Sequence, residues 1–312
     1  MAFLNALPGA AAQGLIWGLM AIGVYISYKI LDIADLTVDG SICTGACVCA
    51  LLISLGCPVW LSVLLAFAAG AVTGVVTGLL HTALGIPSIL AGILTQLILY
   101  SVNLSLLSGK SMMAVDHRTN DLLLHMSDNI GAIITLVVVI AATIIGLWLF
   151  FYTEVGLTLK STGDNPDMSR AQGVNVKLNK VIGLAIANGI VALAGALLAQ
   201  YKGSANINDG RGAIVIGLAA IFIGLSVSLK IKPNFVVSLI GVVGGGIVYY
   251  VIYSFVILLG LKTDYLKMLS AIIVILFLAI PYLKSEYFQK QKPLPLQTAS
   301  CTDDATGGDG NA

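Results

Sequence analysis

Three aspartates sit where an apolar chain would otherwise run into lipid. Asp35 and Asp39 fall in the stretch Ile30-Leu31-Asp32-Ile33-Ala34-Asp35-Leu36-Thr37-Val38-Asp39-Gly40, and Asp209 falls in Ala205-Asn206-Ile207-Asn208-Asp209-Gly210. Gln96, Tyr100 and Asn103 follow one another at i, i+4 and i+7 within an apolar run, so one helix face carries all three, with Thr95 near its edge. Carboxylates, amides and a phenol placed in or beside membrane segments are costly to keep there, and their chemistry is that of a hydrogen-bonding path for a polar solute or ion. The same groups also suit bonds between helices, and the spacing alone leaves both uses open.

Catalytic chemistry finds no support. The histidines are His81, His117 and His125, and none stands in an H-E-x-x-H arrangement. Gly109-Lys110-Ser111 has the ending of a phosphate-binding loop, but Leu104 occupies the place of its first glycine and an apolar run, not a strand, precedes it. The cysteines are Cys43, Cys47, Cys49, Cys57 and Cys301, without the C-x-x-C spacing of structural zinc sites. Cys43 and Cys47 share a helix face and read as small packing residues. No cofactor is expected in this chain, and energy from ATP would have to be supplied by another polypeptide.

The elements that must position these residues follow from composition. Of 312 residues, 58% are hydrophobic and 10% charged, against about 25% charged in a soluble domain. With a mean hydropathy of +0.99, there is too little polar surface to cover a soluble fold, so soluble enzymes and disordered scaffolds are excluded. The net charge of +1 and the dispersed basic residues give no nucleic-acid footprint. Residues 1–9 contain no basic residue, so no cleavable signal is expected.

A spanning helix needs about 20 apolar residues. That ruler predicts spans near 10–31, 41–56, 58–80, 87–108, 129–152, 181–201, 212–228, 235–259 and 266–283. The expected fold is an all-α polytopic membrane protein of about nine (eight to ten) transmembrane helices, occupying 1–285. A polar tail over 286–312 is expected to be disordered and cytoplasmic. The short spans 41–56 and 212–228 each follow a polar stretch containing Asp-Gly, and the two pairs lie 170 residues apart. Such matching interruptions predict two inverted-repeat-like halves with discontinuous helices, the two stretches on opposite membrane sides. Gly70, Gly74 and Gly78, and Gly14 and Gly18, predict close helix packing.

Alternating the nine spans gathers Lys29, Lys160, Arg170, Lys177, Lys180, Lys230, Lys232, Lys284, Lys290 and Lys292 on one side. Lys110, Arg118, Lys202, Arg211, Lys262 and Lys267 fall on the other. The bias puts the 153–180 loop and the C-terminus in the cytoplasm and the N-terminus outside.

That loop holds the most specific signal, Gly163-Asp164-Asn165-Pro166-Asp167-Met168-Ser169-Arg170-Ala171-Gln172-Gly173-Val174-Asn175-Val176. Asn165 caps and Pro166 opens a helix, Asp167 and Arg170 suit its dipole, and Gly173 ends it after about two turns. A short rigid polar helix at the cytoplasmic face is suited to docking a soluble partner.

Here the chain resembles the permease subunits of bacterial ABC importers, the branched-chain amino acid and ribose permease superfamily. Their loop reads G-x-N-P-x-x-A-R-x-x-G-(I/V)-N-V. Gly163, Asn165, Pro166, Arg170, Gly173, Asn175 and Val176 match it, with Ser169 in place of the usual Ala. Asp35 to Ser41 followed by Gly45-Ala46 is similar to the family's broken-helix segment, and Gly85-Ile86-Pro87 through Asn103 to a subgroup tied to tryptophan or tyrosine uptake.

The resemblance, over residues 10–285, implies an inner-membrane importer subunit with no catalytic site of its own. It implies two cytoplasmic ATPase subunits, an extracytoplasmic solute-binding protein and a second permease copy. Loop 161–176 would be the coupling segment, with Gly163, Asn165, Pro166, Arg170 and Gly173 seated on the ATPase. Asp35, Asp39, Gln96, Tyr100, Asn103 and Asp209 would border the translocation path for a small polar solute, an amino acid. An ion-gradient-driven transporter or channel is the alternative, and the 161–176 loop is what such a carrier does not need.

Overall fold

The structure, a computed structural model, describes residues 2–115, 122–124, 129–228 and 234–258, with positions 268, 271, 272, 274 and 275. His117, Arg118, His125, Lys230, Lys232, Lys262, Lys267, most of the ninth predicted span and the whole 286–312 tail with Cys301 lie outside the described residues.

The described chain is helical apart from one small β-ribbon. In order come α1 (Ala2–Tyr25) continued by a π-helical turn (Ile26–Ile30), α2 (Val38–Ser54), α3 (Val59–Thr82), α4 (Ser88–Leu106) and β1 (Met112–Ala114). There follow α5 (Asn129–Phe151), α6 (Glu154–Asp164), α7 (Pro166–Ala171), α8 (Val176–Lys202), β2 (Ser204–Asn206), α9 (Ala213–Ser228) and α10 (Phe235–Leu258). Among the described residues, six segments are long and apolar enough to cross a bilayer: Leu7–Ile30, α3, α4, most of α5, α8 and most of α10. The chain is an all-α polytopic membrane protein.

Helix α8 is the axis of the bundle, with α1, α2 and α3 packed on it. Gly70 and Gly74 of α3 leave no room for a Cβ against the Asn188 and Leu184 carbonyls of α8, and Gly45 of α2 meets the Ala192 carbonyl in the same way. Gly14 and Gly18 admit the backbone of α10 at Ile247 and Val243. With lipid outside, no hydrophobic force draws helices together, and this close backbone approach supplies the packing.

The predicted spans up to residue 259 each correspond to a helix, but two expectations change. The 153–180 loop contains α6 ahead of the expected short helix, and α8 begins five residues before the predicted 181. Asn175 accounts for the earlier start, its side chain accepting from the Leu178 amide as an N-cap.

The two Asp-Gly stretches meet inside the bundle: Gly210 packs against the Asp39 carbonyl. With 17 and 16 residues, α2 and α9 are only about 25 Å long, short of a hydrocarbon core of about 30 Å. Both begin inside the bundle.

Candidate functional site

The interior start of α2 is prepared by the end of α1. The π turn shifts the hydrogen bonds, with the Leu31 amide donating to the Ile26 carbonyl at 3.0 Å and the Ile33 amide to the Ser27 carbonyl at 2.9 Å. Asp32 takes a left-handed φ of 53°, and the chain turns. Asp35 then accepts the Thr37 amide at 2.9 Å, and α2 starts at Val38.

A buried polar ladder anchors this break. Asn188 of α8 donates to Asp35 Oδ2 at 2.7 Å and accepts from the Ser41 hydroxyl at 2.6 Å. Ser41 also meets Thr73 of α3 at 2.8 Å. Thr37 meets Thr77 at 2.8 Å, and Thr77 donates to Thr95 of α4 at 3.0 Å. Four helices are thereby stitched by groups that each find partners, as buried polar groups must.

Asp39 performs a second task. Its carboxylate accepts the Gly212 and Ile214 amides, both at 2.9 Å, and so caps the start of α9 from another helix. Nearby, the Cys43 thiol donates to the Ile207 carbonyl at 3.1 Å and accepts from the Gly210 amide at 3.1 Å. The ribbon pairs Met112 with Asn206 and Ala114 with Ser204, holding the 207–212 turn next to the segment that follows α4.

Between α2, α4 and this turn lies a cavity of about 460 Å³, bordered by Asp39, Gly40 and Cys43, by Ile93, Gln96, Leu97, Tyr100 and Asn103, and by Ile207 and Arg211. Four of the six path residues expected from the sequence, Asp39, Gln96, Tyr100 and Asn103, thus share one cavity. Two do not border it. Asp35 is buried in the ladder, and Asp209 is ion-paired with Lys202 at 3.0 Å. Arg211 was not singled out as a site residue, since among loop cations it looks like an ordinary topology marker. Asn188 was likewise missed, and an amide at the middle of an apolar 27-residue helix is the signal that could have found it.

On another face, α6 and α7 form an elbow. Thr153 caps α6 by accepting the Gly156 amide at 3.3 Å. The Asn165 side chain caps α7 by accepting the Asp167 and Met168 amides at 3.1 and 3.0 Å. Gly173, at φ 83°, reverses the chain after α7. Ser161 and Ser169 hydroxyls, 2.6 Å apart, lock the two helices together. The elbow's inner side is fixed to the bundle: Asn179 of α8 donates to Thr162 at 3.0 Å, and Gly163 lies directly on the Ile30 carbonyl. Its outer side presents Met168 at 60% exposure and the exposed Arg170–Asp167 pair at 3.3 Å. Lys29, Lys160 and Asp164 border one groove beside it. Gly109-Lys110-Ser111 leads from α4 into β1 and opens no helix, the wrong setting for a phosphate loop.

The family model for the permease component of the branched-chain amino acid transport system matches residues 7–278. The chain belongs to this family. It is a permease subunit of the ABC importer class and not an enzyme.

Among relatives, a tyrosine transport system permease protein of Clostridioides difficile is 36% identical over 279 residues, covering 88% of this chain and 91% of that one. The galactose/methyl galactoside import permease protein MglC of Haemophilus influenzae is 30% identical over 234 residues, 73% of this chain and 68% of that one. The ribose import permease protein RbsC of Escherichia coli K12 is 23% identical over 276 residues, 88% and 84% of the two chains. No solved structure matches the chain.

Proposed function

We propose that this permease subunit forms the membrane path for a free amino acid. Separate cytoplasmic ATPase subunits work it through the 161–176 segment, an extracytoplasmic solute-binding protein feeds it, and a second copy completes it, with the C-terminus in the cytoplasm. The observation that carries the reading is the capped α6–α7 elbow. It offers an exposed, ordered face to a soluble partner while its back is locked to the end of α1, from which the chain runs directly to the cavity. The relative named for tyrosine transport favours an amino acid over a sugar as the solute.

The test is uptake of labelled amino acids by cells carrying the whole transporter. Arg170→Glu removes the pairing with Asp167 and inverts the charge of the exposed elbow. Gly173→Val strains a left-handed backbone position. Each variant is expected to reach the membrane at wild-type level and to lose at least about 90% of uptake, since docked helix contacts of this kind are worth a few kcal/mol. Unchanged uptake in both variants, or uptake that persists in ATP-depleted cells on an ion gradient alone, refutes the reading.

A further inference from the structure

Two groups at the cavity have no work in the fold. Asn103 is fully buried and borders the cavity, and neither polar atom of its amide has a hydrogen-bond partner among the described residues. Native proteins rarely leave such a group idle, and a ligand that enters and leaves is a physical reason for doing so. Arg211 also borders the cavity, and among the described residues its side chain forms neither an ion pair nor a hydrogen bond.

The acids around Arg211 are already engaged. Asp209 is held by Lys202, and Asp39 by the Gly212 and Ile214 amides. Among the described residues the guanidinium is therefore the one uncommitted charge bordering the cavity. It favours an anionic partner, and its planar donor fork matches a carboxylate. Ile93, Leu97 and Tyr100 give the same space an apolar and aromatic wall.

The geometry points to a solute-reading site within the permease itself: Arg211 takes the carboxylate of a free amino acid, and Asn103 supplies one donor and one acceptor to its polar head. This rests on the amino-acid import reading above and adds that the membrane subunit itself discriminates among solutes. A neutral sugar would fill the hydrogen-bonding needs of Asn103 but leave the cation unanswered.

The experiment measures binding of each of the twenty labelled amino acids to the purified full chain in lipid nanodiscs. The best binder is then displaced with its own decarboxylated amine and with ribose. The intact amino acid is expected to bind, the amine and ribose to compete at least about tenfold less well. Arg211→Gln should weaken binding about tenfold or more, and Arg211→Lys should restore part of it, as expected for one charge-assisted contact. Asn103→Leu should weaken binding as well. Arg211→Gln should melt at the wild-type temperature, because no fold contact of this side chain is removed.

Equal binding by Arg211→Gln, or equal competition by the amine, overturns the proposal. So does a permease that binds no amino acid although the whole transporter imports one in cells; the import reading then stands alone. If the whole transporter imports no amino acid, both readings fall.

Discussion

Asn188 satisfies Asp35 and Ser41 at once while its own amide also donates to the Leu184 carbonyl at 3.1 Å. Replacing it with leucine keeps the volume and takes one hydrogen bond each from the Asp35 carboxylate and the Ser41 hydroxyl, leaving them the Thr37 amide and the Thr73 hydroxyl. Asn188→Leu is expected to destabilise the chain by about 2 kcal/mol or more, since each buried polar group loses one of its hydrogen bonds. Thermal melting of the purified protein in detergent, read by fluorescence size exclusion, checks this. An unchanged melting temperature would remove the ladder's structural role.

At this scale the sequence is only partly legible. The face shared by Gln96, Tyr100 and Asn103 follows from helical spacing and is what the structure presents to the cavity. The roles of Asp35, Asp39 and Asp209 could not be told apart from their neighbours. Each is an acid in a polar interruption, and only the partners brought by Asn188, by the start of α9 and by Lys202 distinguish them.

Helices α2 and α9 are the elements that depart from a simple bundle, and each relies on the other. Asp39 lies in the first turn of α2 yet serves the N-terminus of α9. Asp39→Ala removes both amide contacts and should cost about 1–2 kcal/mol, as loss of an N-cap does. Asp39→Asn keeps one acceptor and should recover about half of that, which chemical or thermal unfolding of the two variants in detergent will rank.

Glycine seams offer a paired test. A Cβ at Gly74 would run into the Leu184 carbonyl, whereas one at Gly146 of α5 would meet nothing within 4 Å. Gly74→Leu is expected to abolish accumulation of folded protein, because it must push two backbones apart at a cost above about 3 kcal/mol. Gly146→Leu should accumulate normally. Expression and monodispersity of the two variants, compared in one gel-filtration experiment, decide the point. The seams were readable as four-residue spacing. Helix α6 was not, because its residues Glu154–Asp164 mix polar and apolar types without a membrane-length run.

Across the whole molecule, a continuous route joins the elbow to the cavity. Gly163 bears on Ile30, Ile30 ends the π turn, Leu31 packs on Gly183 of α8, and the next few residues lead through Asp35 to Asp39. A π turn before a break is a frequent mark of a functional bend, and this one lies between the elbow and the cavity. Gly163→Val is expected to lift the elbow off α1. It should leave the chain inserted and the nucleotide hydrolysis of the assembled transporter above half of wild type, while uptake falls at least about tenfold, as a break in coupling rather than in docking requires. Parallel hydrolysis and uptake assays on one preparation read both numbers. The loop motif pointed to a short capped helix, and α7 is that helix. The contact with Ile30 was hidden from the sequence, because 133 residues separate the two positions.

The clasp between Asp39 and the amides of Gly212 and Ile214 spans 173 and 175 residues of chain. During synthesis, then, α2 enters the bilayer long before its carboxylate has anything to hold. A ribosome paused after α8 would leave that acid without its two amides, although α2 would already rest on α3 and α8 through Ser41 and Gly45. The last contact of the front half therefore waits for the turn ahead of α9, after the rest of α2 has found its neighbours.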